Sequence, residues 1–307
     1  MILDFAKIHG CGNDFILIDD FSEEVELAPR DVAALCDRRL GVGADGIILI
    51  RPAKAQGSTA FMHYINSDGS LAEMCGNGIR CFAKYLVDRG FVPARSGGFT
   101  ADTRAGQKQI SFEIDGDERL VRAQVDMGCP ELAPEKVPTT IPANAQTAAG
   151  GEYVREAAIA SPWGEFAFTC VSMGNPHAVC FIDDWTALPG ELFAEGAERG
   201  LDSFDVARVG AFFEGHSVFP EKANIEFADV RADGIHVRTY ERGCAETLAC
   251  GTGACATGVA ASLTRRAGRE NEVVLRGGVL EIFWDGHDHV IMTGPAKEVF
   301  SGTVEIR

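Results

Sequence analysis

The sequence predicts an α+β protein of two pseudo-symmetric domains, each a mixed, barrel-like sheet wrapped around a central helix. Three observations support this prediction. Short alternating apolar segments recur along the chain, two helical segments begin with the same Cys-Gly-x-Gly motif, and those motifs, at Cys75 and Cys250, lie in opposite halves of the sequence. A chain of 307 residues is long enough for two domains of ordinary size.

The strand predictions rest on runs in which apolar residues alternate and Gly, Asp or Pro marks the ends. Such runs recur throughout the chain and predict strands at 14–19, 58–66, 109–114, 119–127, 166–172, 178–182, 224–229, 234–240, 272–276, 279–284 and 289–293. The dense apolar patch at 47–50 is far too short to cross a bilayer.

Three segments carry the spacing of a helix with one buried face. The first covers 31–40, begins at Asp31 and is followed by Gly41. Its expected buried face comprises Val32, Leu35, Cys36 and Leu40. The other two cover 77–89 and 252–266, and each is followed by a glycine, Gly90 or Gly268, which can end a helix.

Those last two helices begin in the same way, and this is the main internal repeat. Residues 75–78 and 250–253 both read Cys-Gly-x-Gly. A second internal similarity relates Gly-Asn-Asp at 12–14 to Gly-Asn-Pro at 174–176. Several short matches in one order are not expected by chance, so we predict two homologous half-chains.

Composition excludes several classes of function. The net charge of −17 argues against a nucleic-acid partner, because phosphate binding depends on Lys and Arg. The first residues lack the basic and apolar regions of a signal peptide, so we expect a cytoplasmic protein with no membrane partner. The ten cysteines include no Cys-x-x-Cys pair, which argues against a zinc module and predicts no metal.

The repeated motif has a chemical meaning. A cysteine at a helix start lies among unpaired N–H groups and near the positive end of the helix dipole, both of which stabilise a thiolate. The glycines that follow let backbone N–H groups approach an anion such as a carboxylate. A buried structural role is the usual alternative for a cysteine, and we keep it for Cys36, Cys81, Cys129, Cys170, Cys180 and Cys255.

Two opposed thiols suit the inversion of an amino acid's α-carbon. Removal of the α-proton develops charge that the carboxylate can take up, and N–H donors at both helix starts would stabilise it. Inversion needs a base on one face and an acid on the other, which Cys75 and Cys250 can provide. No PLP or nicotinamide signature is present, so we predict that no cofactor takes part.

At these residues the sequence resembles the diaminopimelate epimerase family over essentially its whole length. The shared motifs lie at 7–10, 12–15, 41–46, 66–70, 74–81, 173–177, 219–220, 240–243 and 250–254. The resemblance implies a PLP-independent isomerase that converts LL- to meso-diaminopimelate in lysine and peptidoglycan precursor biosynthesis, and it implies a homodimer. It also implies an active site in the cleft between the domains.

The resemblance implies a role for each site residue. Cys75 and Cys250 resemble the acid/base thiols, and His177 and Glu241 the pair beside the thiols and the substrate amine. The donors to the reacting carboxylate are then Gly76, Asn77, Gly251 and Thr252. The residues that hold the rest of the substrate are Asn13, Asn66, Asn175, Asn224 and Arg242. For Asn13 and Asn66, which lie near glycines, turn formation is the alternative.

We expect the N-terminal domain to cover 1–121 plus 293–307 and the C-terminal domain to cover 122–292. The stretch 201–217 is expected to form an extra element or a lid. Two other functions stay open. One is a racemase or epimerase of the same mechanism that acts on another amino acid, and the other is a non-catalytic, thiol-rich binding or redox-sensing protein.

Overall fold

The computed structural model describes residues 1–306, and residue 307, the last of the expected N-terminal domain, lies outside the described residues. The chain forms two compact units: a first unit of Met1–Asp126 plus the segment that begins at Thr293, and a second unit of Met127–Met292. The boundary expected after residue 121 falls inside a strand that continues to Asp126. Among the described helices, none has both the length and the apolar character needed to span a bilayer.

Residues 1–306 form nineteen strands and four α-helices. In chain order they are β1 (Ile2–Gly10), β2 (Asn13–Asp19), α1 (Pro29–Cys36), β3 (Gly46–Pro52), β4 (Ala60–Asn66), α2 (Gly76–Asp88), β5 (Gly98–Asp102), β6 (Lys108–Ile114), β7 (Leu120–Asp126), β8 (Ala145–Gln146), β9 (Glu152–Tyr153), β10 (Ala157–Ser161), β11 (Gly164–Ser172), β12 (Pro176–Phe181), α3 (Val206–Glu214), β13 (Asn224–Arg231), β14 (Gly234–Glu241), β15 (Ala245–Glu246), α4 (Gly251–Leu263), β16 (Glu270–Leu275), β17 (Gly278–Trp284), β18 (Val290–Pro295) and β19 (Lys297–Glu305). Every predicted strand is present, whereas β1, β3, β5, β10 and the two-residue strands β8, β9 and β15 were not predicted.

The first unit is a mixed sheet in the order β19-β1-β2-β3-β4-β5-β6-β7. Neighbouring strands are antiparallel except for β2–β3 and β4–β5, which are parallel and therefore need crossover connections. Helices α1 and α2 lie in those two connections. Helix α2 contacts β1 to β4 and also β7, so the sheet wraps around it, and twelve of its thirteen residues are buried.

The apolar patch at 47–50 is explained by this arrangement. Ile47 and Leu49 belong to a core that includes Val32 and Leu35 of α1. Ile48 lies against α2, where its side chain is within 3.3 Å of the position that a Cβ on Gly78 would occupy. Strand β3 therefore has a helix on each face, which is why its residues read as a continuous apolar run rather than an alternating one.

The second unit repeats the topology of the first. Its strands run β10-β11-β12-β13-β14-β16-β17, with the parallel pairs at β12–β13 and β14–β16. Helices α3 and α4 lie in those crossovers, and α4 contacts six strands, β11 to β14, β16 and β17. The predicted fold class is confirmed: the protein is α+β, with two pseudo-symmetric units that each wrap a mixed sheet around one helix.

Helix α4 fits inside its sheet because its residues are small. Between Gly251 and Leu263 it contains mainly Gly, Ala, Thr and Ser, and ten of its thirteen residues are buried. A Cβ added at Gly258 would lie 2.9 Å from the side chain of Ile282 in β17. The low apolar periodicity of this helix is therefore a consequence of its position, since strands surround it on most sides.

Two predicted helix ends are wrong. The helix expected over 31–40 ends at Cys36, because the Asp37 carboxylate accepts hydrogen bonds from the N–H groups of Arg39 and Leu40 and forms a turn. Leu40, expected on the buried face, is 92% exposed. The helix expected to extend to residue 266 ends at Leu263.

The expectation of an extra element or a lid at 201–217 is also wrong. This segment contains α3, whose Val209 and Phe213 are fully buried. Phe213 packs edge-on against Phe166 and Phe168 of the sheet, with ring centroids 5.2 and 4.8 Å apart. The segment is thus part of the core of the second unit, in the position that α1 occupies in the first.

Candidate active site

Both cysteines of the repeated motif cap a helix. Cys75 is the N-cap of α2, and its Sγ accepts a hydrogen bond from the Gly78 N–H at 3.4 Å. Cys250 is the N-cap of α4, and its Sγ accepts from the Gly253 N–H at 3.4 Å. Each sulfur therefore lies at the helix end where N–H groups and the dipole favour negative charge.

Little space is available for a side chain at the second glycine of each motif. A Cβ at Gly253 would lie 2.7 Å from Oε1 of Glu226 and 3.3 Å from the sulfur of Cys250. A Cβ at Gly78 would lie 3.0 Å from the side chain of Met62 and 3.3 Å from Cβ of Cys75. The Cys-Gly-x-Gly pattern thus allows the thiol and its neighbours to lie close to the first helical turn.

In the first unit, Asn13 connects Cys75 to the helix start. Its Oδ1 accepts from the Cys75 thiol at 3.6 Å and from Nδ2 of Asn77 at 3.2 Å. Its Nδ2 donates to Oδ2 of Asp45 at 2.6 Å. The carboxylate can only accept, so it fixes the orientation of the Asn13 amide with the oxygen toward the thiol.

Arg80 anchors the same cluster from inside the unit. Its side chain is fully buried and its guanidinium donates to Oδ1 of Asn77 at 2.8 Å and to the carbonyl oxygen of Gly76 at 2.9 Å. It also donates to the sulfur of Cys11 at 3.8 Å. In the sequence, Arg80 is part of the shared motif at 74–81. The signal for its role was a charged residue in the first turns of a helix whose spacing predicts a buried face.

A network of charges supports the strand that carries Asn13. Asp14 forms ion pairs with Lys7 at 2.8 Å and Arg38 at 2.7 Å, and Arg38 also reaches Asp45 at 2.6 Å. Burial alone would raise the pKa of Asp14, but the hydrogen bonds from Arg38 and Lys7 outweigh it and lower this pKa to about 2. Asp14 is therefore ionised at neutral pH.

Asn66 has the contacts of a turn residue. Its Nδ2 donates to Oγ of Ser70 at 3.0 Å, and its backbone bonds to Ser70 and Gly69 close the turn after β4. The structure thus brings Asn13, Gly76 and Asn77 together around Cys75, whereas the side chain of Asn66 is hydrogen-bonded within its own turn.

In the second unit, Cys250 lies in a buried and acidic environment. Burial raises the pKa of its thiol well above the ordinary value, and the carboxylates of Glu241 and Glu226 raise it further. The Thr252 hydroxyl, 3.5 Å from the sulfur, and the Gly253 N–H act in the opposite direction. Cys250 is consequently a neutral thiol at neutral pH in this state of the protein.

Glu241 lies beside Cys250 at the end of β14. Burial raises the pKa of its carboxyl, while hydrogen bonds from Thr247 and Cys250 lower it in part. The Thr247 hydroxyl donates to Oε1 of Glu241 at 2.5 Å. A carboxyl next to a thiol, both partly withdrawn from water, is an arrangement in which the charge on one group controls the ionisation of the other.

His177 is bonded to a residue that the sequence analysis missed. Both His177 and Glu226 are fully buried, and Nδ1 of the histidine lies 2.8 Å from Oε1 of Glu226. Nε2 lies 3.1 Å from Oδ1 of Asn175. The signal for Glu226 was an acidic residue between two apolar ones, Ile225 and Phe227, within the predicted strand 224–229.

Asn224 and Arg242 meet at one edge of the same unit. Asn224 donates through Nδ2 to the Pro176 carbonyl at 2.8 Å and accepts the Arg242 N–H at 2.9 Å. The Arg242 side chain is exposed and donates to the carbonyl oxygen of Glu221 at 3.1 Å. The following residue, Gly243, donates its N–H to the buried Glu214, which holds this loop against α3.

The other cysteines are largely structural. Cys36, Cys81, Cys170, Cys180 and Cys255 are buried, as expected, but Cys129 is exposed. No cluster of three or more His, Cys, Asp or Glu side chains among residues 1–306 could hold a metal ion.

Comparison with known proteins gives consistent results along the chain. A family model described as diaminopimelate epimerase matches residues 5–133 and 169–299. A diaminopimelate epimerase of Synechococcus sp. is 45% identical over 304 residues, which cover 98% of this chain and 98% of that protein. A diaminopimelate epimerase of Leptospira biflexa is 39% identical over 307 residues, which cover 100% of both chains.

Solved structures share the fold at much lower identity. A hydroxyproline epimerase from Agrobacterium vitis has a TM-score of 0.68 and 15% identity, and the match covers 99% of this chain and 92% of that chain. A PhzF-family phenazine biosynthesis protein from Bacillus anthracis has a TM-score of 0.64 and 14% identity, with 100% of both chains covered. At such identities the likeness concerns the fold alone.

Proposed function

Because this chain belongs to the diaminopimelate epimerase family, we propose that it is an isomerase that interconverts LL- and meso-2,6-diaminopimelate without a cofactor. The reaction would supply precursors of lysine and peptidoglycan. The observation that carries the proposal is the duplicated helix start, at which Cys75 and Cys250 each accept an N–H from the first turn of a helix. A non-catalytic thiol-rich protein would not need this duplication.

The proposed step uses the two cysteines on opposite faces of one α-carbon. A thiolate removes the α-proton and becomes a thiol, while the electron pair of the C–H bond moves into the carboxylate as an enediolate. The other thiol then donates its proton to the opposite face, the enediolate electrons form the new C–H bond, and a thiolate remains. N–H groups at the start of α2 and α4, with Asn77 and Thr252, would stabilise the enediolate.

The substrate's own charge would help to ionise a thiol. Glu241 raises the pKa of Cys250 in the protein described here. An ammonium group bound beside Glu241 would offset that negative charge and lower the pKa of the thiol. We therefore assign Glu241, with His177 as a supporting residue, to the substrate amine.

The remaining contacts concern specificity. Asn13, Asn66, Asn175 and Asn224 are proposed to hold polar groups of the substrate, and Arg242 its distal carboxylate, which a guanidinium can bind through two hydrogen bonds. The exposed guanidinium of Arg242 is available for such a ligand. Glutamate has no distal amine and lysine has no distal carboxylate. Each of these substrates would therefore leave some contacts of the distal end unused.

We also propose a cytoplasmic homodimer. All ten cysteines, which lie within residues 1–306, are free thiols, as is usual in a reducing compartment. Strand β19 pairs with β1, and most of its side chains, including Val299 and Phe300, are exposed. Two copies paired antiparallel about Ser301 would place Lys297 opposite Glu305, so that opposite charges meet.

A substrate panel tests the proposed reaction. Purified protein is incubated without PLP with LL-diaminopimelate, and separately with L-lysine, L-glutamate and L-proline, and the stereoisomers are separated by chiral chromatography. The proposal predicts meso-diaminopimelate as product and turnover of the monoamino or single α-centre substrates at less than about 1% of that rate. Faster turnover of one of the others would favour a racemase of that amino acid, and no turnover of any would favour a binding protein.

A further inference from the structure

An acidic side chain lies in the interior of the second unit, where charge is expensive. Glu226 and His177 are each fully buried and lie 2.8 Å apart. An isolated buried carboxylate would lose its hydration without compensation. Oε1 is compensated by His177, but Oε2 is buried without a hydrogen-bond partner. The desolvation cost of this carboxylate indicates a role beyond packing.

The local sequence makes room for this carboxylate. Strands β12 and β13 are parallel, with His177 opposite Asn224 and Val179 opposite Glu226, so His177 and Glu226 lie on the same face. A Cβ at Gly253 would come within 2.7 Å of Oε1 of Glu226. The glycine in the first turn of α4 therefore admits the carboxylate to the helix N-terminus, where negative charge is favoured.

The hydrogen bonds define where the protons lie. Nε2 of His177 faces Oδ1 of Asn175, which can only accept, so Nε2 carries a hydrogen. Nδ1 faces Oε1 of Glu226, and one hydrogen must lie between these two atoms. His177, Glu226 and Asn175 thus form one hydrogen-bonded chain, in which the imidazole lies between the carboxyl group and the amide.

We propose that Glu226 is a positioning residue: it holds His177 so that Nε2 donates to Asn175, and this bond turns the amide NH2 of Asn175 toward the substrate. The inference rests on the proposed function, in which Asn175 contacts the substrate. It adds a residue that never touches the ligand. Loss of the Glu226 carboxylate would release the orientation of the His177 ring and, with it, that of the Asn175 amide.

Other titratable groups around the pair act on it from neighbouring elements. Glu241 at the end of β14 interacts with both His177 and Glu226, and Cys250 at the start of α4 interacts with both Glu241 and Glu226. Because Glu241 stays in place when Glu226 is changed, the effect of Glu226 on His177 can be measured separately.

The test compares Glu226→Gln with a matched control, Thr239→Val. Gln keeps the shape of Glu but removes its charge, and it can either donate to or accept from Nδ1 of His177. Thr239 lies opposite Glu226 on β14 and is buried with a hydroxyl that lacks a partner. Its replacement alters a buried polar group at the same depth without affecting the histidine.

The first readout is the orientation of His177 and Asn175, followed by ¹⁵N NMR of the His177 ring nitrogens and of the Asn175 side-chain amide at pH 7. Thr239→Val should leave these signals as they are in the unaltered protein. In Glu226→Gln the signals of Nε2 and of the Asn175 amide should shift or broaden, because the ring is no longer held. Unchanged Nε2 and Asn175 amide signals in Glu226→Gln overturn the proposal. This readout needs no turnover, so it stands even if diaminopimelate is not the substrate.

The second readout is steady-state kinetics with LL-diaminopimelate. Glu226→Gln should raise KM about tenfold while kcat changes less than about threefold, because the lost interaction concerns binding. Combined with Asn175→Ala, it should add little to the effect of Asn175→Ala alone, since both act through one contact. Effects on KM that multiply in the double variant, or a fall in kcat alone, would contradict the proposal that Glu226 acts through Asn175.

Discussion

Cys250 occupies in the second unit the position that Cys75 occupies in the first. Each residue precedes the helix enclosed by its sheet, and each sulfur accepts an N–H from the glycine three residues later at 3.4 Å. The surroundings differ, however. Cys75 is half-buried and bonded to the amide of Asn13, whereas Cys250 is buried near two carboxylates. The two positions are equivalent, but their electrostatic surroundings differ. Such a pair suits a reaction in which one cysteine is a thiol while the other is a thiolate.

The carboxylate beside Cys250 should control its reactivity. Because Glu241 raises the pKa of Cys250, Glu241→Gln should lower that pKa and speed alkylation of Cys250 by iodoacetamide at pH 8 by about threefold to tenfold. Peptide mass spectrometry measures the rate at each cysteine. The exposed Cys129 serves as the internal control and should react equally in both proteins. Equal or slower alkylation of Cys250 in the variant would refute this electrostatic account.

Arg80 should be essential to the first helix start. Arg80→Met removes the donors to Asn77 and Gly76, and should lower the free energy of unfolding by about 2–4 kcal/mol because buried acceptors lose their partners. Urea denaturation measures this change. Arg95→Met is the matched control, since that guanidinium is largely exposed, and its effect should stay within about 0.5 kcal/mol. Similar stabilities for the two variants would show that the Arg80 bonds are dispensable.

The ion pairs around Asp14 should make stability depend on acid pH. Its pKa is lowered to about 2 in the folded protein, compared with about 3.9 in an unfolded chain. Asp14 therefore stabilises the fold above about pH 4, and this contribution disappears as the pH falls toward 2. Asp14→Asn should be less stable at pH 7 and lose less stability on acidification. Parallel pH profiles of unfolding for the two proteins would contradict this assignment.

Strand β19 should mediate self-association. Phe300→Asp places a charge on its exposed edge region and should convert the proposed dimer into a monomer, which sedimentation velocity can measure. Val279→Asp, on an exposed position of β17, controls for a general effect of surface charge. A dimer that persists in Phe300→Asp would direct the search to another surface, and a monomeric unaltered protein would end the proposal.

Much of the architecture could be predicted because the relevant patterns are local. The repeated Cys-Gly-x-Gly motif specified two helix starts, and the structure has both. Helix 77–89 was predicted within one residue because its apolar spacing is regular and Gly90, at φ 79°, closes it. Alternating runs likewise predicted strands such as β7 and β17, in which buried residues alternate with more exposed ones.

The remainder depended on packing between distant segments. Residues 47–50 do not alternate because helices cover both faces of β3, and no local pattern distinguishes such a strand from a buried helix. The end of α1 depended on the side chain of Asp37. Glu226 and His177 are 49 positions apart and become partners only through the parallel pairing of β12 and β13. Arg80 belongs to the shared motif in the sequence, but its role could be recognised only from its hydrogen bond to Asn77 in the folded protein.

The central claim concerns proton transfer at the α-carbon by two thiols. Proton NMR of LL-diaminopimelate with the purified protein in heavy water, without added cofactor, tests it most directly. We predict loss of an α-proton signal as deuterium enters and the meso isomer forms, and no formation of meso isomer with Cys75→Ala or Cys250→Ala. Formation of the meso isomer by either variant at an undiminished rate, or with the original α-proton retained, would contradict the two-thiol mechanism.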